Sequence, residues 1–188
     1  GRHLIMSKRA RFGTLVILIT LQLGGCSGLQ LVSSPSRSVP LSGVWVIDIE
    51  ASDDVKVAMK SDARRGDDRL SSRAEIQRIR RGSGLAFVAY DFQVLEAQRM
   101  TIELAQDSMG VKHEPGVYRD VSWGKRERGI WKVQAGWEED TLVVASKTNG
   151  IDVIERYRLL SHNRLQVALD ILADGNKRQI QRYFRRQG

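Results

Sequence analysis

The chain has 188 residues, 41% of them apolar and 28% charged, which is enough for one compact domain and too apolar for a disordered polymer. Its single cysteine, Cys26, excludes a disulfide within the chain. The formal charge of +8 would suit a polyanionic partner, but four of the basic residues precede Cys26 with no acid among them, leaving 26 basic against 22 acidic residues from there on, so the charge is no case for nucleic-acid binding.

The first 25 residues have three parts. Lys8, Arg9 and Arg11 form a basic start, with Met6 as the expected first residue of the translated chain. An apolar run over 14–23 follows, broken by Gln22, and then Gly24 and Gly25. Basic, apolar, small is the order of a secretory signal peptide. The run is about ten residues, short of the roughly 18 that a spanning helix needs. Leu23-Gly24-Gly25-Cys26 resembles the lipobox of bacterial lipoproteins. The resemblance implies cleavage before Cys26, lipidation of its thiol and acylation of its new amino group. Two or more acyl chains would then hold the protein firmly on a membrane. Residue 27 is Ser rather than Asp, which by the same resemblance implies the outer membrane, facing the periplasm.

Residues 26–40 carry two prolines and many serines, and predict a flexible tether between the lipid and a domain over 41–188. Residues 43–50, GVWVIDIE, alternate and predict a strand with Trp45, Ile47 and Ile49 on one face. Ser52, Asp53 and Asp54 then suit a helix start. Ser72 and Glu75 have capping-box spacing, and Gly82 can end that helix. Leu85, Val88, Phe92 and Leu95 step by three and four. Together these features predict a helical insertion over 53–97.

From Arg99 the apolar period becomes two. Met100, Ile102 and Leu104 make one set, Met109, Val111 and His113 the next, and Val117, Arg119, Val121 and Trp123 another. Trp131, Val133, Ala135 and Trp137 are the clearest, followed by Leu142 and Val144, by Ile151, Val153, Tyr157 and Leu159, by Leu165, Val167, Leu169 and Ile171, and by a closing segment over 180–186. Asn149-Gly150, His162-Asn163 and Asp174-Gly175 are turn signals between runs, and Asn-Gly suits a two-residue hairpin because both residues accept positive φ. With the first strand the count is nine. The class is mainly β: an antiparallel up-and-down meander closing into a barrel, with a helical insertion after the first strand.

Gly43-Val44-Trp45 resembles the G-x-W motif of lipocalins, whose Trp plugs one barrel end, often under an arginine from the last strand. The resemblance implies a lipocalin-like barrel, with Arg182 and Arg185 as candidate braces for Trp45 and a small apolar ligand as the expected partner. The layout also resembles envelope lipoproteins of proteobacteria with such barrels. Trp131 and Trp137 share a face and could line a ligand cavity or fill a core.

Catalytic patterns are weak. His113 and His162 lack the spacing of a zinc site, so no metal or cofactor is expected. His113-Glu114 and the acidic cluster Glu138-Glu139-Asp140 could do acid–base work, but both read better as turns. No nucleophile elbow, Ser-x-x-Lys or phosphate loop occurs, and Arg65-Gly66-Asp67 is a tripeptide expected by chance in an arginine-rich loop. Eight basic residues over 60–81, with four acids among them, fit a charged helical surface or a contact with anionic lipid headgroups. These features favour a non-enzymatic, lipid-anchored envelope protein that binds a small apolar ligand or a partner protein. The alternatives are an accessory subunit of an outer-membrane assembly and an envelope hydrolase.

Overall fold

The computed structural model describes residues 28–60 and 68–188, with the side chains of 68–72 excepted. The signal segment, Cys26 and the Arg65-Gly66-Asp67 loop lie outside the described residues. Among the described residues, ten strands form one antiparallel sheet in the order β4-β3-β2-β1-β10-β9-β8-β7-β6-β5. They are β1 (Gly43–Ile47), β2 (Arg99–Leu104), β3 (Ser108–Glu114), β4 (Tyr118–Ser122), β5 (Gly124–Arg128), β6 (Trp131–Glu138), β7 (Thr141–Thr148), β8 (Ile151–Ser161), β9 (Arg164–Ala173) and β10 (Asn176–Gln187). Each strand pairs with its neighbour in sequence except at one place, and β1 also pairs with β10, so the meander curls into a barrel with a single seam between β4 and β5. The mainly β, barrel-forming class expected from the alternation therefore holds.

The strand missed by sequence reading is β5. Its sequence GKRER has no apolar residue and every position is exposed, so it carries no periodic signal. A charged strand suits a seam edge, where unpaired backbone would otherwise invite another chain. The expected first strand is too long: it stops at Ile47, and Ile49 is 70% exposed rather than sharing the Trp45 face. Asp48 ends it. Its backbone N–H still donates to the Tyr183 carbonyl at 2.7 Å, while its buried carboxylate accepts from Arg185 Nε at 2.9 Å and its carbonyl accepts from Ser52 Oγ at 2.7 Å. The hairpin turns at 149–150, 162–163 and 174–175 are where the turn signals place them, and Glu139-Asp140 is a fourth.

The insertion between β1 and β2 is helical as expected, with different boundaries. It holds α1 (Val55–Ala58), α2 (Asp68–Arg80), α3 (Gly84–Asp91) and a 3₁₀ turn, Gln93–Leu95. The first cap is Asp54, whose carboxylate accepts from the Val57 N–H; Ser52 is occupied with Asp48 and Tyr183. Ser72 is not at a helix start, because α2 begins four residues earlier. Gly82 does end α2, at φ +64°, and a Cβ there would sit 2.8 Å from Ile130 Cδ1, so bare backbone is needed where the insertion meets the β5–β6 turn. Leu85, Val88, Phe92 and Leu95 are buried against the barrel, the apolar partner their spacing requires.

The leading segment is not a free tether from residue 29 onward. Val32 and Trp137 exchange backbone hydrogen bonds of 3.0 and 2.8 Å, the Leu29 carbonyl accepts from Gln134 Nε2 at 3.0 Å, and Arg37 pairs with Asp140. This segment takes the side of β6 that β5 leaves beyond Ala135. Gly136 permits it: a Cβ there would lie 2.7 Å from the Val32 carbonyl oxygen.

Candidate functional site

Antiparallel pairing gives the barrel two ends. One carries the helical insertion. The other carries the starts of β1 and β6's far end, and there Trp45 is fully buried, its indole N–H donating to the Leu41 carbonyl at 2.9 Å. An arginine of the last strand does lie over it, but it is Arg186, with its guanidinium carbon 4.2 Å from the ring centroid. Arg186 is the cross-strand partner of Trp45, and it donates to the carbonyls of His162, Ser42 and Pro40 at 2.8, 2.6 and 2.5 Å. The two arginines proposed from sequence do other work. Arg185 pairs with Asp48. Arg182 is buried and donates to the Asp53 carbonyl at 3.4 Å and the Ala97 carbonyl at 3.2 Å, stapling the two ends of the insertion to β10.

Trp131 and Trp137 point to the same face of β6 but do not line one cavity: six residues along a strand separate them by about 20 Å. Trp137 packs edge-on against Trp123, 6.1 Å between centroids, at the Trp45 end. Trp131 lies under the insertion. Phe87 stacks on it at 5.8 Å and 5°, Phe92 meets it edge-on at 5.2 Å, and its N–H donates to Asp91 Oδ2 at 2.6 Å.

Beneath that aromatic layer lies a buried polar cluster that sequence reading missed. Arg119 on β4 reaches across to Glu155 on β8, its Nη1 donating to both carboxylate oxygens at 3.0 and 2.8 Å, and Tyr157 donates to the same carboxylate at 3.0 Å. Phe92 covers the guanidinium at 5.7 Å. Burial and the Glu155 charge raise the Tyr157 hydroxyl well above its ordinary pKa, so it stays a neutral donor. His113 is not the turn residue expected: it points into the barrel from β3, 2% exposed, and neither ring nitrogen has a hydrogen-bonding partner. Glu114 faces out, so the two form no acid–base pair. His162 and the Glu139-Asp140 pair sit in turns, as read, whereas Glu138 is the last residue of β6, paired with Thr141. No group of three metal-ligating side chains occurs among the described residues.

Burial lowers the His113 pKa from 6.5 to about 4, with Arg119 helping and Glu155 and the Val117 carbonyl opposing. A histidine kept neutral by the fold but protonated when unfolded makes stability rise with pH between the two values. The domain should therefore lose about 3 kcal/mol between pH 6.5 and 4 from this group. Urea midpoints across that window should slope less in His113→Leu than in wild type; equal slopes would refute the assignment.

Between the insertion and the β5–β6 hairpin runs an open cleft of about 390 Å³, lined by Ile79, Phe87, Ile130 and Trp131 together with the charged Arg80, Arg81, Arg128 and Asp91. Its size falls within the range of small-molecule sites. A second groove of about 440 Å³ lies on the outer face of β8–β10, around Ile154, Leu172 and Asp170, where Asp170 is already engaged by Arg156 and Gln179. At this cleft the Arg128 pKa is held below its ordinary value by burial and by Arg119, with Asp91 and Glu155 opposing.

No protein-family model and no curated protein sequence matches the chain. Among solved structures it is similar to the crystal structure of wild-type fluorescent protein UnaG, with a TM-score of 0.48 and 16% identity over 78% of this chain and 97% of that one. A point mutant of UnaG aligns with a TM-score of 0.48 and 15% identity over 79% of this chain and 96% of that one.

Proposed function

We propose that the chain is a non-catalytic, lipid-anchored protein of the bacterial envelope, set on the outer membrane through Cys26, that binds a small apolar ligand under the helical insertion of its barrel. The observation that carries the binding reading is the cleft beside Trp131, with Phe87 and Ile130 on its walls and two separate chain segments as its jaws. A cleft lined in part by apolar side chains is the kind of site that small apolar ligands occupy. Nile red, a neutral dye, should bind saturably with a rise in fluorescence, and Ile130→Asp should abolish the rise while leaving the melting temperature near wild type. Binding unaffected by Ile130→Asp would remove the cleft from the reading.

A second reading, an accessory subunit of an envelope assembly, draws on the other end of the barrel. There Trp45, Trp123 and Trp137 fill the core rather than line a space. Failure of any apolar dye to bind would favour it. The anchor is supported by the lipobox resemblance of Leu23-Gly24-Gly25-Cys26. Cys26→Ser should abolish incorporation of radiolabelled palmitate; wild-type labelling in that variant would refute the anchor.

A further inference from the structure

We propose that the barrel lays its β5 edge on the membrane that holds its anchor, with Lys125 and Arg126 on anionic lipid headgroups and Ile130, at the tip of the β5–β6 hairpin, entering the interface. This rests on the anchor reading and goes beyond it by fixing which side of the barrel meets the lipid. Three observations converge. The first is where the leading segment comes from. It meets β6 at three points in order: the Leu29 carbonyl accepts from Gln134 Nε2, Val32 exchanges hydrogen bonds with Trp137, and the Ser36 N–H donates to the Glu139 carbonyl at 2.9 Å. Gln134 is the cross-strand partner of Lys125. Cys26 stands three residues before Leu29, and three residues span at most about 11 Å. A lipid on Cys26 therefore leaves the chain beside this hairpin, and a barrel held to its own leader at three points so near the anchor has little freedom to turn another side down.

The second observation is charge. No strand pairs with the outer edge of β5, and every residue of β5 is exposed. Lys125 and Arg126 point to its two opposite faces, so an edge-on approach brings both to the same plane. Neither has an ion-pair partner among the described residues. Arg128 follows on the same strand and Lys132 on β6, against one acid, Glu127. At its far end β6 stops on Glu138, with Glu139 and Asp140 in the turn beyond. The hairpin thus has a basic flank and β6 an acidic end, and an anionic surface draws the first down and repels the second. A sheet edge can be protected by charge of either sign, so edge protection alone leaves the excess of cations unexplained. The third observation is apolar. Ile130 at the hairpin tip, and Val117 and Tyr118 at the β3–β4 turn across the seam, are each more than half exposed. Both turns touch the insertion, Val117 through its N–H to Gln93 Oε1 at 2.8 Å and Ile130 beside Gly82, so they stand at one barrel end. Apolar side chains among cations suit the boundary between headgroups and acyl chains.

The test reconstitutes the lipidated full chain into vesicles of phosphatidylethanolamine and phosphatidylglycerol, with a maleimide fluorophore on one introduced thiol and a quencher on the lipid headgroups. Wild type, its only cysteine acylated, should take no label; a labelled wild type would refute the anchor and this face with it. With wild type unlabelled, the face is judged alone. A fluorophore on Ile130→Cys should be quenched at least about threefold more than one on Leu160→Cys, an exposed site on β8 near the opposite barrel end. Lys125→Gln/Arg126→Gln changes only exposed side chains and should weaken the docked state roughly 25-fold, erasing the difference. Vesicles of phosphatidylcholine alone should erase it too. Equal quenching at the two positions in anionic vesicles, stronger quenching at Leu160→Cys, or a difference that survives either the neutral lipid or the neutral variant would overturn the proposal. So would an Ile130→Cys fluorophore that vesicles leave bright but isolated envelopes shield from added iodide, the mark of a protein partner.

Discussion

Trp45→Ala is expected to destabilise the domain by about 3–5 kcal/mol, a large part of the roughly 5–15 that holds a domain folded. The indole is fully buried, its N–H is satisfied by the Leu41 carbonyl, and Met100 and Arg186 are its two cross-strand neighbours. Truncation leaves a void at a barrel end and strands the carbonyl. It also removes the ring on which Arg186 rests. The coupling between them should be about 1 kcal/mol, the worth of a partly shielded cation–π contact. Urea midpoints of Trp45→Ala, Arg186→Met and the double variant measure it. Trp45→Ala combined with Arg182→Met is the control and should be additive, because Arg182 spends its donors on Asp53 and Ala97. Additivity in the Arg186 cycle, or coupling in the Arg182 one, would reverse the assignment drawn from the structure.

The choice between those arginines shows where sequence reading stops. The motif at Gly43-Val44-Trp45 and the arginines of the last strand were legible, and so was their meeting. The partner was not, because it depends on register. β10 runs antiparallel to β1, so a residue near the start of β1 faces the end of β10, and Trp45 pairs with Arg186 rather than with a residue four positions earlier. The insertion was legible from Leu85, Val88, Phe92 and Leu95, whose spacing survives without tertiary information, while its caps were misplaced because Ser52 binds Asp48 and Tyr183 instead. β5 was invisible because a strand exposed on both faces has no apolar period.

The polar cluster was half legible. His113, Arg119 and Glu155 occupy the same parity as the apolar residues around them, so alternation already pointed them inward. Their meeting was not legible, because no signal along the chain joins β4 to β8 across a barrel and isolated polar residues rarely enter a core. The cleft was invisible for the same reason: the tip of the β5–β6 hairpin and the end of α2 are nearly fifty residues apart.

Glu155→Leu is expected to be as costly as the tryptophan truncation, about 3–5 kcal/mol, because it leaves Arg119 buried without its countercharge. Nothing else among the described residues replaces that carboxylate: the Arg119 Nε–H has no partner already, and Tyr157 would lose its acceptor. The effect should not be read as the worth of the ion pair. Removing both partners, in Arg119→Met/Glu155→Leu, takes the burial penalty away with the attraction, and such replacements are often neutral or stabilising by about 1–4 kcal/mol. The double variant should therefore recover most of the stability lost in the single one. His113 offers an internal check. Glu155 is the main influence raising its pKa against burial, so Glu155→Leu should push the His113 pKa below about 4, whereas Arg119→Met alone should raise it. Proton NMR titration of the imidazole reads both shifts, and thermal melts read the stabilities. A Glu155→Leu variant as stable as wild type, or a His113 resonance indifferent to both substitutions, would show that the cluster does not form across the barrel.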